Sequence, residues 1–325
     1  MIYYDLNTIK DWNFGDDNII KVYRNNAVCY YKITGGGNPI DYSTHYLSMV
    51  AQTNGVSFKY DTATSSNSLQ YSLDSGSTWN ILSNGQSTSS INNGEKIMFK
   101  ASSLTVNTER GIGRITPSSS ATVEGNIMSL AYGDNFSGQT VIPNNYQFRK
   151  LFSGVTTITS AENMVLPAAS VKQQCYSQMF QGCTSLVVSP KVIGSSAMTW
   201  SGQYCFSDMF HDCTSLTTVP SGLLPATTLG ERCYWCMFNG CTSLTTAPTL
   251  PATTLVSNCY LEMFKGCTNL NYIEALFTTT PSSSYMSNWV DGVASSGTFV
   301  KNSSAIWSTS CGVSTYPCNW TVQNE

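Results

Sequence analysis

Hydrophobic and polar positions in the second half of the chain recur together in four tandem copies. Each copy places a cysteine, an aromatic residue, a Met-Phe pair, a second cysteine and a leucine at the same offsets. The four clear copies are Cys175–Leu186 (CYSQMFQGCTSL), Cys205–Leu216 (CFSDMFHDCTSL), Cys233–Leu244 (CYWCMFNGCTSL) and Cys259–Leu270 (CYLEMFKGCTNL). Their spacing lies within the period of roughly 20–50 residues that is typical of repeat architectures. It predicts a solenoid, in which neighbouring units bury one another's apolar faces.

Each copy predicts a short helical turn, a short strand and a return path. The stretch C-[YF]-x-x-M-F puts Cys, Met and Phe on one face of a helical turn. The Gly or Asp two residues after the Phe is expected to end that turn at positive φ. Thr-Ser-Leu-Thr-Thr-x-Pro then predicts a strand that stops at a proline, as at Pro220 and Pro248. Leu-Pro-Ala-Thr-Thr-Leu at 224–229 and 250–255, with a diverged form at 166–171, is expected to lead to the next copy.

The two cysteines, the phenylalanine and the leucine of each clear copy are the predicted structural core. They are Cys175, Phe180, Cys183, Leu186, Cys205, Phe210, Cys213, Leu216, Cys233, Phe238, Cys241, Leu244, Cys259, Phe264, Cys267 and Leu270. Cysteines at equivalent positions would form columns of buried thiols. Disulfides within each repeat are the alternative. Zinc is disfavoured, because the i, i+8 spacing is too long and no histidines accompany the cysteines.

Three other cysteines have separate interpretations. Cys236 forms a CxxC with Cys233, but this spacing occurs in one copy only and is interpreted as coincidence. Cys311 and Cys318 flank a loop near the C-terminus and could pair under oxidising conditions.

Two outer copies extend the repeat. Phe152 precedes Phe180 by one repeat and Val290 follows Phe264 by one repeat, each within a diverged form of the phrase that lacks cysteines. Terminal repeats are expected to be atypical because one face of each meets solvent or another domain. The sequence therefore predicts about six coils, from roughly residue 145 to residue 300.

The phrase CxxMFxGCTSLTxxPxLPATTL resembles the BspA-like subclass of leucine-rich repeats. This subclass is common in surface proteins of gut Bacteroidetes and of phages that infect them. The match covers about half the chain and recurs in register. The resemblance implies a curved solenoid with its short strands on the concave face, and a role in adhesion or recognition rather than catalysis.

The region from about 42 to 130 has the period-two alternation of strands. Alternating runs lie at Val56–Tyr60, Leu69–Leu73 and Lys96–Lys100, with turn residues at Asp74–Gly76 and Asn93–Gly94. Short strands spaced in this way predict a small antiparallel β sandwich. Its YSLDSGSTW and NNGEKIMFKA segments resemble a module that often precedes these repeats. The junction Gly125–Gly133 is expected to dock the sandwich on the solenoid.

The N-terminal segment, residues 1–34, predicts a third unit. Ile20–Ile33 has the pattern of a hairpin with Asn25-Asn26 as its turn, and Gly35–Gly37 is expected to be a flexible joint. The hairpin pattern is similar to short β segments of tailed-phage tail and fibre proteins. At the other end, Gly297–Lys301 and Trp320–Val322 predict a β cap over the last coil.

The predicted fold class is therefore mainly β with short helical turns, in four parts. These are an N-terminal β hairpin unit for virion attachment (1–37), a β sandwich (38–140), a BspA-like leucine-rich-repeat solenoid (141–300) and a C-terminal cap (301–325).

Composition and charge narrow the function. Charged residues make up 11% of the chain, against roughly 25% in soluble proteins, and the formal net charge is −3. Nucleic-acid binding is disfavoured, because it requires a basic face. No apolar run reaches the roughly 18 residues of a membrane span. Met1–Asn7 lacks the features of a secretory leader, so export by the ordinary route is not expected, although the hydroxyl-rich composition is typical of extracellular proteins.

Catalytic motifs are not evident in the sequence. Its two histidines are His211, at a variable repeat position, and His45, in a polar stretch. There is no G-x-S-x-G nucleophile elbow, and Gly111-Ile-Gly113 lacks the rest of a dinucleotide loop. We expect neither enzymatic activity nor a metal or cofactor.

The predicted ligand-contacting surface consists of outward repeat positions. Position 3 of the strand, counted from the repeat leucine, gives Val188, Thr218, Thr246 and Tyr272, beside Pro190, Pro220, Pro248 and Glu274 at position 5. Variable residues after Met-Phe give a second set, Gln181, His211, Asn239 and Lys265. A concave strip of this kind suits a glycan or a protein partner. The alternative is that these are merely tolerated surface positions. Tyr272 and His211 interrupt an otherwise uniform pattern and are the first candidates.

The favoured hypothesis is a non-enzymatic virion component, a head or tail fibre of a tailed phage that infects a gut bacterium. It would be made in the host cytoplasm and displayed on the virion surface. Its N-terminal unit would bind other virion proteins, and its solenoid a host surface protein or glycan. The alternative is a BspA-like adhesin on a bacterial cell surface; an enzyme or an intracellular scaffold is less favoured. No heptad or other trimerising pattern is present in the sequence, so only the class of protein suggests a homo-oligomer.

Overall fold

A computed structural model describes residues 19–24, 27–32, 41–101, 103–306 and 310–325. The chain divides into two compact units, residues 1–41 and residues 42–325. The described part is mainly β and contains two one-turn α-helices, α1 (Ser129–Tyr132) and α2 (Ser283–Met286). Within these ranges no helix has the length and hydropathy needed to cross a membrane.

The first unit contains one antiparallel strand pair. Strand β1 (Ile19–Arg24) pairs with β2 (Ala27–Lys32), in agreement with the hairpin predicted for this segment. The predicted turn at Asn25-Asn26 and the predicted joint at Gly35–Gly37 lie outside the described residues.

The second unit begins with a module of two antiparallel sheets. Its strands are β3 (Leu47–Ala51), β4 (Phe58–Asp61), β5 (Ser68–Ser72), β6 (Asn80–Ser83), β7 (Lys96–Lys100), β8 (Arg114–Pro117) and β9 (Ala121–Asn126). The main sheet has the order β6-β5-β7-β3-β9, and β4 pairs with β8 in a separate sheet. Phe58 of the small sheet packs edge-on against Phe99 of the large one, with ring centroids 6.1 Å apart. The two sheets therefore share one core, as in a small sandwich.

The main sheet continues directly into the first repeat. Strand β10 (Ile158–Val165) pairs parallel with β9, on the edge of β9 that β3 leaves free. Gly125 of β9 has φ +82°, and a Cβ there would overlap the carbonyl oxygen of Tyr46. Only glycine fits this close approach. The junction predicted around this glycine is therefore a shared sheet in which β9 is the first partner of the repeats.

The segments predicted as helical turns are not helical, and this prediction is wrong. They are runs of consecutive turns with a period of four residues. In the first clear copy, Gln174, Gln178 and Gly182 have φ values of 50°, 59° and 71°. The Gly or Asp after Met-Phe has positive φ, as predicted, and residues four and eight positions earlier share this conformation.

The backbone hydrogen bonds explain why a helix does not form. Tyr176 N donates to Cys205 O (2.9 Å), Gln178 N to Ser207 O (2.8 Å) and Phe180 N to Met209 O (2.9 Å), so alternate N–H groups bind the next repeat. The N–H groups between them bond three residues back within their own turn. An α-helix would use every such donor internally and leave none for the neighbouring repeat.

The same hydrogen bonds set the frame of the outer copies. Phe152 N donates to Met179 O (2.9 Å), and Phe264 N donates to Trp289 O (2.8 Å). These bonds are equivalent to those between the clear copies, so the predicted frame for both outer copies is correct. Six copies thus hydrogen bond in series.

A four-residue period also explains the i, i+8 spacing of the cysteines. Residues four apart lie on one side of the turn run, so Cys175, Met179 and Cys183 are all fully buried. All sixteen predicted core residues are 0% exposed, which confirms that part of the prediction.

The repeat cysteines are free thiols, which confirms the buried-column interpretation over disulfides within repeats. The second thiol of each clear copy donates to a phenylalanine carbonyl oxygen of the preceding copy. These bonds are Cys183 to Phe152 (3.1 Å), Cys213 to Phe180 (3.1 Å), Cys241 to Phe210 (3.0 Å) and Cys267 to Phe238 (3.0 Å). Burial raises the pKa of the Cys183 and Cys267 thiols to about 12. Cys311 and Cys318 form a disulfide.

Two columns of stacked aromatic rings run through the repeats. The first is Phe148, Tyr176, Phe206, Tyr234 and Tyr260, and the second is Phe152, Phe180, Phe210, Phe238 and Phe264, with successive centroids 5.3–6.1 Å apart. Both columns end on Trp289, whose ring lies 6.2 Å from Tyr260 and 6.0 Å from Phe264. The Trp289 indole is fully buried and donates to Thr315 O at 2.7 Å.

The strands predicted for the clear copies are too long. Their position-3 residues form single parallel bridges, of Val188 with Thr218 and of Thr246 with Tyr272. Proline at position 5 lacks the N–H that would extend the ladder. Where position 5 is Glu274 or Val300, regular strands form.

The remaining strands continue the column of strand positions to the C-terminus. Parallel strands β13 (Tyr272–Ala275), β14 (Thr298–Lys301) and β15 (Thr321–Asn324) form one sheet. The segments predicted as a β cap therefore pair side by side with the last repeats. A short parallel pair, β11 (Ser170–Val171) with β12 (Thr199–Trp200), lies on the return path.

We expect Trp289→Ala to lower the free energy of unfolding by about 3–5 kcal/mol, because it removes the ring on which both columns end. Trp289→Phe keeps the stacking, loses the bond to Thr315 and should cost about 1–2 kcal/mol. Ile306→Ala, at a side chain that is 96% exposed, should change stability by less than about 0.5 kcal/mol. Urea unfolding followed by circular dichroism measures all three. Equal losses for the two Trp289 variants would contradict the proposed role of the ring.

Candidate ligand-binding surface

The predicted position-3 residues lie in one outward-facing column. Thr218 and Thr246 are exposed, whereas Val188 and Tyr272 are half-buried. Parallel bridges hold Val188 in register with Thr218, and Thr246 in register with Tyr272. Burial, and then the charge of Glu274, raises the pKa of Tyr272, so its phenol is neutral and can donate at physiological pH. This column offers hydroxyl donors and one aromatic side chain, without a charge of its own.

The position-5 residues do not form a second outward column. Pro190 and Pro248 are buried and Pro220 is half-buried, so the expectation that they face outward is wrong for two of the three. No strand ladder forms at these positions, and the rings of Pro190 and Pro248 pack inward. Glu274 is half-buried, and its carboxylate accepts a hydrogen bond from Thr249 Oγ1 at 2.7 Å.

The variable residues after Met-Phe form a separate column on the turn run. Gln181, His211, Asn239 and Lys265 are each half-buried. Each follows a positive-φ residue by three positions, so the backbone of the turn presents them alike. Among the described residues, no hydrogen bond or ion pair joins this column to the position-3 column. The eight predicted residues are therefore two surfaces rather than one site.

His211 is held between two carboxylates. Its Nδ1 lies 3.1 Å from Asp208 Oδ1, and its Nε2 lies 3.7 Å from Asp212 Oδ2. The hydrogen bond with Asp208 raises the His211 pKa above its ordinary value of 6.5, partial burial opposes the shift, and the charge of Asp212 adds to it. The imidazole thus carries positive charge at a higher pH than a free histidine does.

A second polar cluster bridges the next two repeats. Glu262 binds Lys265 Nζ through Oε1 at 3.0 Å and Asn239 Nδ2 through Oε2 at 3.5 Å. Both basic side chains of this column, His211 and Lys265, are therefore paired with carboxylates of the stack, and these contacts fix the side chains in place.

An aromatic cluster on the turn run was missed in the sequence. Trp235 lies 5.1 Å from Tyr204, and the Arg232 guanidinium lies over the Tyr204 ring at 5.3 Å. Arg232 also pairs with Glu231 at 2.9 Å. Trp235 and Tyr204 are half-buried, unlike the repeat aromatics of the two stacked columns. The signal was the Trp in CYWC, at a position where the two preceding copies have the buried Ser177 and Ser207.

This aromatic cluster has the chemistry of a small polar-ligand site. An accessible Trp-Tyr pair offers apolar faces with limited conformational entropy, and the adjacent Arg and Glu offer directional hydrogen bonds. Within the described ranges, no three or more His, Cys, Asp or Glu side chains are arranged to hold a metal ion.

Comparison with known protein families, with curated proteins and with solved structures finds no match for this chain.

We expect NMR titration to give His211 a pKa above 6.5, and Asp208→Asn to lower it because that variant removes the closer hydrogen-bond partner. Asp212→Asn is the matched control and should lower it less, since that carboxylate is 3.7 Å away and 62% exposed. Because the folded pKa is raised, the stabilisation from His211 is complete below about pH 6.5 and is lost as pH rises through the folded pKa. A His211 pKa at or below 6.5 would contradict the pairing.

Proposed function

We propose that the protein is a non-enzymatic recognition protein whose repeats form a BspA-like leucine-rich-repeat solenoid of about six coils. Its outward columns would bind a glycan or a protein on a bacterial surface. The observation that carries the proposal is the alignment of equivalent positions by the hydrogen bonds between repeats. Such stacking turns each repeat position into a continuous strip, which is the extended binding surface that solenoids use.

Variation among the copies supports a binding role for the outward positions. The core positions repeat Cys, Met, Phe and Leu, whereas the turn-run column changes from Gln181 to His211, Asn239 and Lys265. Packing constrains the core positions and leaves the outward positions free. Differences there can therefore match the different groups of an extended ligand, as in a specific interface.

The proposed setting is the surface of a tailed-phage virion. The first unit would attach the chain to other virion proteins, the β module would act as a spacer, and the repeats would face the host. Low charge and a hydroxyl-rich composition support an exposed, non-ionic surface. The buried free thiols of the repeats support folding in a reducing cytoplasm before display.

A bacterial cell-surface adhesin is the second candidate. The Cys311–Cys318 disulfide favours it, because disulfides persist in oxidising environments outside the cytoplasm. The same repeat surface would then bind a neighbouring cell or a secreted polymer.

The two settings predict different locations for the chain. Mass spectrometry of washed phage particles and of outer-membrane fractions from one culture distinguishes them. We expect peptides of this chain in particles at a fixed ratio to capsid protein. Detection only in the membrane fraction would exclude the virion assignment and leave the adhesin.

A truncated chain tests the anchor role of the first unit. If the full chain is found in particles, loss of residues 1–34 should abolish its incorporation. Unchanged incorporation would exclude the role of these residues as the anchor.

Binding of the full chain to bacterial cells or isolated surface glycans tests the recognition role directly. We expect Trp235→Ala and Tyr272→Ala each to weaken binding by roughly tenfold or more, since accessible aromatic side chains dominate such surfaces. Thr254→Ala, at an exposed return-path residue, is the matched control and should leave affinity unchanged. Full binding by both aromatic variants would place the contact surface elsewhere.

A further inference from the structure

A concavity beside the first repeat is lined by three basic side chains. It has a volume of about 220 Å³ and is lined by Arg110, Arg114, Lys150, Ser153 and Gln181. Arg149 adjoins Lys150 in the sequence. Three of the sixteen basic residues thus line this concavity, in a chain whose formal net charge is −3.

Close packing of the β module on the first repeat builds this concavity. Gly111 has φ +59°, and a Cβ there would lie 2.6 Å from Tyr146 O and 2.8 Å from Arg149 O. Ile112 N donates to Gln147 O at 3.3 Å, in the same stretch of contact. The backbone after Arg110 therefore lies directly on the first turn run, and residues that are far apart in sequence line one space.

The basic side chains there lack acidic partners. Lys59, Lys96, Lys100, Lys191, Arg232 and Lys265 each pair with a carboxylate. Within the described ranges, no carboxylate lies within ion-pair distance of Arg110, Arg114, Arg149 or Lys150. Burial, followed by the positive charges of Arg149 and Arg110, lowers the pKa of Lys150, and the negative charge of Glu109 opposes this shift.

Donor capacity at the site is incompletely used. Arg114 donates from Nη1 to Ser153 O at 3.0 Å, but its Nε is buried and has no hydrogen-bond partner. Arg149 donates from Nη2 to Gln178 Oε1 at 3.2 Å, and its Nε is also buried without a partner. Buried donors of this kind are uncommon and call for an acceptor. Guanidinium groups match the geometry of oxyanions in particular.

We propose that this concavity binds the sulfate, phosphate or carboxylate group of an anionic saccharide. Arg110, Arg114 and Lys150 would contact the oxyanion, and Ser153 and Gln181 would hydrogen bond to neighbouring sugar hydroxyls. The volume is below the roughly 300–1,000 Å³ of clefts for drug-sized ligands, which suits one charged group with a small carrier. The charge is confined to one point rather than spread along a stripe, which disfavours a nucleic-acid strand.

This proposal names the ligand class of the proposed recognition function and rests on that function. The unpaired cations lie at the N-terminal end of the turn-run column, which continues from Gln181 to His211 and Asn239. An anionic sugar held here would direct the rest of a polysaccharide along uncharged or internally paired side chains. The charged group would thus fix the position of the ligand, and hydrogen bonds from the turn-run column would bind the rest of the polysaccharide.

The experiment is calorimetric titration of the full chain with a sulfated, a phosphorylated and a uronic-acid oligosaccharide. A neutral oligosaccharide of equal length, inorganic sulfate and a short single-stranded oligonucleotide complete the set. We expect at least one anionic oligosaccharide to bind and the neutral one to bind at least tenfold more weakly. Affinity should fall with added NaCl, because salt screens charge.

Variants locate the binding. Lys150→Gln and Arg110→Gln should each weaken anionic-saccharide binding about tenfold, as expected for loss of one charge-assisted contact. Arg110 is exposed, so this variant tests the site even if Lys150→Gln unfolds the chain. Lys191→Gln is the matched control, because Lys191 pairs with Glu162 at 3.4 Å outside the concavity. It should bind like the unchanged protein.

Three results would overturn the proposal. Equal binding of neutral and anionic saccharides, insensitive to Lys150 and Arg110, would remove the anion site while leaving the recognition function supported. Tighter binding of the oligonucleotide than of any saccharide would overturn the ligand class. Absence of binding by inorganic sulfate and by every oligosaccharide would exclude the site, and the cell-binding assay would then decide the recognition function separately.

Discussion

The structure depends on one pattern of backbone hydrogen bonds, in which alternate N–H groups of each turn run bind the next repeat. This pattern requires a left-handed residue at every fourth position, which costs about 1–2 kcal/mol where the residue is not glycine. Two bonds to the next repeat accompany each such residue, and each contributes about 1 kcal/mol net. The strain and its compensation are therefore comparable in size. An isolated repeat has no neighbour to supply these hydrogen bonds, so the turn run forms only when repeats are stacked.

A stack held together by backbone donors must be closed at both ends. At the start, β9 supplies a parallel partner for the first repeat while it stays antiparallel to β3 on its other edge. At the far end, Trp289 covers both aromatic columns, and β15 pairs with the last repeat strand. The two ends are covered differently. At the first repeat a neighbouring strand satisfies the backbone N–H and C=O groups of a sheet edge. At the last repeat the aromatic columns would also be exposed, so an apolar side chain covers them as well.

The repeat frame and its core were predictable from the sequence, because identical residues at fixed offsets occupy identical environments. The conformation of the turn run was not. Of its three left-handed positions, only the one two residues after the Phe is usually Gly. Gln178 and Glu262 occupy another of these positions, and their residue types give no local signal for positive φ. Apolar residues at i, i+4 and i+5 fit a period of 3.6 as well as a period of four. Trp235 was not predicted for a different reason. It departs from the residue shared by the two preceding copies, and an analysis of shared positions does not single out such a residue.

The basic concavity shows which functional features lie beyond a repeat pattern. Arg110 belongs to the β module, which has no repeats. Lys150 lies in the diverged first turn run, at the position of Gln178 in the next copy. The close contact around Gly111 and Ile112 brings the two residues together. Elsewhere on the turn run basic side chains pair with carboxylates of the stack, as in the Lys265–Glu262 and His211–Asp208 pairs. An unpaired cluster in such a weakly charged surface dominates the local field within a Debye length of about 8 Å. A charged ligand would therefore meet the junction first, and the repeats would extend the contact from there.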